Sequence, residues 1–128
     1  MNFPSDLLYT KDHEWTRLSG DEATIGITDH AQQALGDIVF CELPKVGREL
    51  KSHETFGVVE SIKAVSDLFC PIAGKVTAVN DSAVSDPALI NREPQTGGWL
   101  IKIKLTEKDA LKTLMNADSY KAFVATLT

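Results

Sequence analysis

The sequence predicts a mainly β protein with short helices and a helical segment at its C-terminal end. Three observations carry this. "EATIGIT" from Glu22 and "WLIKIKL" from Trp99 both alternate apolar with polar residues, the period of a strand with one buried face. After Leu105 the period changes: Leu111, Leu114 and Met115, then Tyr120, Phe123 and Val124, recur at helical spacing. The 128 residues suit one domain, 1–128, with a core over about 9–105 and a helical segment over about 106–126. No Gly/Ser-rich, Pro/Ala-rich or charged tract divides the chain.

Along the chain, "EWTRL" reads as a strand that turns at Ser19-Gly20-Asp21 into the next. There Ala23, Ile25 and Ile27 share one face, and Thr24, Gly26 and Thr28 the other. Thr28 or Asp29 can cap a short helix that Gly36 ends. Two strand-like runs, 37–43 and 45–51, are broken by Pro44, which cannot donate to a ladder. Residues 74–80 form another strand candidate. The polar connection 81–98 is long enough to carry a short helix or a function. Thr106 with Asp109 resembles a capping box opening a helix. "DIVFCELPKVGRELKS" from Asp37 echoes "DLFCPIAGKVTAVNDS" from Asp67 if two gaps are allowed, as two similar half-sheets or by chance.

Composition narrows the function classes. Hydrophobic residues are 43% and charged residues 24%, a globular balance. A formal charge of -5 argues against a general nucleic-acid binder, which needs clustered cations. No apolar run reaches the roughly 20 residues of a membrane span, and residues 1–6 lack a secretory signal. Cys41 and Cys70 sit in apolar contexts and read as buried thiols; His13, His30 and His53 have no metal-ligand spacing. No nucleophile elbow, phosphate loop, GxGxxG, HExxH or CxxC is present, so a binding or carrier module is expected rather than an enzyme.

Residues 56–76, "FGVVESIKAVSDLFCPIAGKV", are ambiguous. Val58, Ile62, Val65 and Phe69 have helical spacing, but Val58, Val59, Ile62 and Val65 are β-branched. A hairpin would put Ser61-Ile62-Lys63-Ala64 at its tip without the usual Asn-Gly. Patterning leaves helix and hairpin open. Lys63 stands between Ile62 and Ala64, outside any solvated charge cluster.

Here a resemblance enters. "GVVESIKAVSDLFCPIAGKVTAVN" resembles the attachment hairpin of lipoyl-carrying domains. "KDHEWTRLSGDEATIGITDHAQQALGDIVFCELPKVG" and "ALINREPQTGGWLIKIKL" resemble the H proteins of the glycine cleavage system, over about residues 9–105. The resemblance implies a barrel-sandwich hybrid of antiparallel strands with Lys63 at a hairpin turn, amide-linked to lipoate. It implies a non-catalytic carrier. Aminomethyl groups from glycine decarboxylase (P protein) would pass to the aminomethyltransferase (T protein), and dihydrolipoyl dehydrogenase (L protein) would reoxidise the arm. Glu60, Ser61, Ala64 and Asp67 would face the lipoylating enzyme. Glu14, with Asp67 as second candidate, would meet the cargo amine in a groove, and His13 and Trp15 would contact or pack beside it. Asp12 and Ala34 stand where relatives vary, which bears on how tightly the arm is held. A monomer in the bacterial cytoplasm is expected, or in the mitochondrial matrix for a trimmed eukaryotic chain.

Rivals remain. A biotinyl domain would place Met on both sides of the lysine; Ile62 and Ala64 favour lipoate. A lipoyl domain of a 2-oxo acid dehydrogenase would bring a flexible linker. A donor that relays lipoate to other enzymes shares every feature named, and a non-acylated interaction module would leave Lys63 without a role.

Overall fold

The computed structural model describes residues 1–127. Nine strands and four α-helices follow one another, with a short 3-10 turn at Asp109–Thr113. The strands are β1 (Leu8–Tyr9), β2 (Glu14–Ser19), β3 (Glu22–Ile27), β4 (Ile38–Glu42), β5 (Glu49–Leu50), β6 (Thr55–Ser61), β7 (Val65–Phe69), β8 (Gly74–Val79) and β9 (Ile101–Leu105). The helices are α1 (Asp29–Leu35), α2 (Asp81–Ser85), α3 (Ala88–Arg92) and α4 (Ala117–Ala125). One sheet runs β1-β2-β3-β9-β8-β5 and the other β4-β6-β7, all pairs antiparallel. Their shared interior holds Ile25, Ile38, Phe56, Val59, Leu68, Ile72, Ile101 and Ile103, each nearly or fully buried. This is the mainly β, open barrel-sandwich arrangement that the resemblance implied.

The alternation of β3 and β9 survives, with one addition. Ala23, Ile25 and Ile27 face the shared core, as patterned, but Gly26 and Thr28 are buried too. Trp15 lies directly across from Gly26 and its indole covers that position. A second core of Leu7, Tyr9, Trp15, Tyr120 and Val124 seals this outer face. The polar side of β3 is therefore an interface, because its small residues make room for an aromatic neighbour.

Residues 56–76 form the hairpin β6–β7 and the start of β8. The helical spacing arises from two strands: the four-residue steps from Val58 to Ile62 and from Val65 to Phe69 are each two strand periods, and the three-residue step from Ile62 to Val65 crosses the turn. A register shift in β6 lies just before them, between Thr55 and Gly57. At Gly57 a Cβ would run into the Glu42 carbonyl, so the bulge fits only glycine. The echoed segments occupy matching places: β4 and β7 flank β6, and β5 pairs with β8. Two expectations shrink. Only Glu49–Leu50 of residues 45–51 pairs as strand. The helix expected after Thr106 is just the 3-10 turn, because Met115 exchanges backbone hydrogen bonds of 2.7 and 2.8 Å with Tyr9, which holds the chain extended there. Asn116 then starts α4, its side chain accepting the Ser119 N–H at 2.8 Å.

Gly26→Ala is expected to cost about 2–3 kcal/mol, because the new Cβ would fall 2.6 Å from the Trp15 ring. Urea unfolding would read this as a lowered midpoint at unchanged slope; an unchanged midpoint would mean the indole is free to move aside.

Candidate functional site

The tip of β6–β7 is organised by one hydroxyl. Ser61 Oγ accepts the Lys63 N–H at 3.2 Å and the Ala64 N–H at 3.0 Å, while Ser61 N–H donates to the Ala64 carbonyl at 2.8 Å. A serine side chain thus does what Asn-Gly does in tighter hairpins. Lys63 is exposed on this turn, between Ile62 at 74% and Val65 at 67% exposure. Glu60 is half-buried on β6, cross-strand from Val65, and Asp67 is exposed on β7.

Beside the hairpin lies a cleft of about 170 Å³ with mostly apolar walls. Ala31, Ala34 and Leu35 of α1 form one side, Val59, Ser66, Asp67 and Leu68 the other, and Asp12, His13, Glu14 and Ile27 the far end. Of these walls the resemblance named only Asp67 and Ala34; the rest were missed, because nothing in their spacing distinguishes residues lining a cleft from residues filling a core.

Glu14 is 2% exposed. Thr10 Oγ1 donates to its carboxylate at 2.8 Å, and this bond and the Phe69 backbone both favour the ionised form. Burial dominates these contacts and pushes the carboxyl up to about 7, with Asp12 nearby adding to the rise. Thr10 Oγ1 also accepts the Glu14 and Asp12 N–H groups, both at 3.2 Å, so one threonine shapes the loop that carries the acid. The sequence marks Glu14 but not Thr10.

His13 is half-buried, with φ 67°, and its ring reaches the cleft. Its Nδ1 lies 2.8 Å from the Tyr120 hydroxyl. Burial, and then the neighbouring His30, hold its pKa below the ordinary value. Trp15, expected beside the groove, is not among the cleft's lining residues. Successive side chains of a strand point to opposite faces, so Glu14 reaches the cleft while Trp15 packs in the second core and donates its Nε1–H to the Pro94 carbonyl at 2.8 Å. Asp12 and Ala34 both line the cleft. Cys41 and Cys70 are buried and free, their thiols pushed up to about 12 and about 11 chiefly by burial. Among the described residues no cluster of His, Cys, Asp or Glu could hold a metal ion, and no helix is long and apolar enough to cross a membrane.

The site is thus a lysine raised on a fixed turn beside a mostly apolar cleft, on a two-sheet β scaffold of the barrel-sandwich class. The family described as "Glycine cleavage H-protein" matches residues 7–127. The glycine cleavage system H protein of Halothermothrix orenii is 48% identical over 97% of each chain, and that of Symbiobacterium thermophilum 53% identical over 95% of each. A crystal structure of the H protein from Mycobacterium marinum superposes with a TM-score of 0.87 at 40% identity, over 96% of this chain and 99% of that one. The chain belongs to the glycine cleavage H-protein family, and membership supports a lipoyl-carrier role in glycine cleavage.

The raised Glu14 pKa has a sign that can be measured. Between about pH 4.5 and about 7 the folded chain holds a proton here that the unfolded chain has released, so stability falls as pH rises through that window. Glu14→Gln is expected to flatten this part of the stability profile and to gain on the order of 2 kcal/mol at pH 8. Chemical unfolding at several pH values checks it; parallel profiles for the two proteins would place the Glu14 pKa near its ordinary value.

Proposed function

We propose that Lys63 carries lipoate and that the chain shuttles aminomethyl groups from glycine decarboxylase to the aminomethyltransferase, with reoxidation by dihydrolipoyl dehydrogenase. The observation that carries the reading is the conjunction at the hairpin: one exposed lysine on a turn fixed by Ser61, beside a mostly apolar cleft that ends on a buried carboxylate.

The residues present fit the group. Acylation removes the lysine charge, and the Ala31, Ala34, Leu35 and Val59 walls suit an apolar chain. When attached, lipoate supplies a terminal disulfide whose sulfur takes up and gives back the cargo. Every other duty falls to the protein. The Ser61 turn displays the lysine to the lipoylating enzyme, with Glu60, Ala64 and Asp67 giving that enzyme a charged and geometric address. Glu14 meets the cargo amine. With its pKa pushed up to about 7 it is only partly ionised near neutral pH; a cation entering beside it favours the ionised carboxylate and offsets the burial cost. His13, held below its ordinary pKa, stays neutral and spares the amine a repelling neighbour. The apolar walls keep water from the cargo. The bacterial relatives support a bacterial cytoplasm as the setting.

Intact mass spectrometry of protein made in lipoate-replete cells is expected to show one added lipoyl group, and none in Lys63→Ala. An adduct on another lysine, or none in the unaltered protein, would sink the assignment.

A further inference from the structure

The lysine turn is tied to a neighbouring corner of the chain. Ile62 N–H donates to the Asp37 carbonyl at 3.2 Å, and Ser61 pairs with Ile38 across β4 and β6. The same corner, residues 36–38, joins α1 to β4. Asn91, on α3, grips it with both ends of its amide. Nδ2 donates to the Gly36 carbonyl at 2.9 Å and to Gln32 Oε1 at 3.0 Å, and Oδ1 accepts the Ile38 N–H at 2.8 Å. A chain of direct bonds therefore runs from α3 through the corner to the turn.

The stem of Lys63 lies across this corner. A Cβ built on Gly36 would stand 3.4 Å from Lys63 Cε and 3.9 Å from Nζ. Bare backbone at position 36 lets the lysine rest against the chain. Ala34 and Leu35, just before Gly36, already belong to the cleft wall. The end of the stem, where an acyl chain would be attached, is thus aimed at the α1 side of the cleft.

We propose that Gly36 is the crossing point by which an acyl chain on Lys63 enters the cleft, and that Asn91 is the positioning residue that holds crossing and turn in one arrangement. This rests on the reading of Lys63 as the attachment site. A Cβ alone at position 36 would meet the end of the stem in ordinary contact, but a side chain the length of leucine would occupy the path beyond it and lift the arm. An arm lifted there passes above the Ala34–Leu35 wall. Loss of the Asn91 amide leaves the Gly36 carbonyl and the Ile38 N–H without their partner and frees the corner on which Ile62 is hung.

The test compares amide NMR spectra of lipoylated and unlipoylated protein, with attachment quantified on each sample by intact mass. In the native sequence, lipoylation is expected to shift the amides of Ala31, Ala34 and Leu35. In Gly36→Leu, at equal attachment, those shifts fall at least threefold. Gly36 has φ 78°, so a side chain there also strains the backbone. Gly47→Leu serves as control: Gly47 has φ 96° and nothing within 4 Å of a Cβ, so the strain falls on open space and the shifts persist. In Asn91→Ala, hydrogen exchange at Ile38 and Ile62 accelerates at least tenfold; Asn91→Asp, which keeps the acceptor, restores protection at Ile38. Full shifts in Gly36→Leu, equal losses in Gly47→Leu, or attachment without cleft shifts in the native sequence would overturn the crossing. Native protection at Ile62 in Asn91→Ala would overturn the role of Asn91. A native chain that gains no lipoyl mass would overturn the attachment reading, and this inference with it.

Discussion

Thr28 is where the separate parts of the cleft meet. It ends β3, its backbone N–H donates to the His13 carbonyl at 3.0 Å, and its side chain caps α1 by accepting the Ala31 N–H at 3.2 Å. Its hydroxyl also lies 2.8 Å from the Tyr120 hydroxyl, which in turn lies 2.8 Å from His13 Nδ1. One fully buried residue thereby sets the start of the α1 wall, the backbone of the far end and the docking of α4. A buried hydroxyl carries a penalty unless its bonds are made, so these contacts stand or fall together. The cleft is a joint between elements distant in sequence, and its shape depends on that joint.

Burial at the end of the cleft works against the ordinary rule for carboxylates. A chain seeking stability alone would place an apolar residue at position 14, since an acid in that position either holds a proton or costs free energy to ionise. The structure shows the compromise in detail. Thr10 satisfies part of the carboxylate and the Phe69 backbone also favours its ionised form, too little to return its pKa to the usual range. An acid held in this state answers to whatever charge arrives beside it.

The sequence made much of the fold legible because period and punctuation agree there. The strands at residues 22–27 and 101–105, the Ser19-Gly20-Asp21 turn, and the Thr28 and Gly36 ends of α1 all appear where patterning puts them, although Leu100 joins the shared core and Trp99 packs on the second one. Legibility failed where tertiary contacts overrule local signals. Met115 has a helical neighbour pattern, yet its backbone pairs with Tyr9, more than a hundred residues away. Val58, Ile62, Val65 and Phe69 mimic a helix because two strand periods make a step of four and the turn between the strands supplies a step of three. For the site, Lys63 and Glu14 stand out in sequence through the company they keep. The Thr10 contact, the α1 wall and the displacement of Trp15 from the groove are products of which strand faces which, and no local pattern records them.

Ile62 and Val65, the exposed pair beside Lys63, bring a further consequence. Both are β-branched, so each holds few rotamers even in water. A protein that covers them orders little that was not already ordered, whereas lysine is among the side chains with the most rotamer freedom to lose. The tip therefore sets a long mobile stem in a stiff apolar collar. Contact through the collar is entropically cheap, while the stem keeps its freedom to reach. A small collar also buries little area, so such contacts are made and broken quickly, which suits a molecule that has to leave each partner as readily as it meets it.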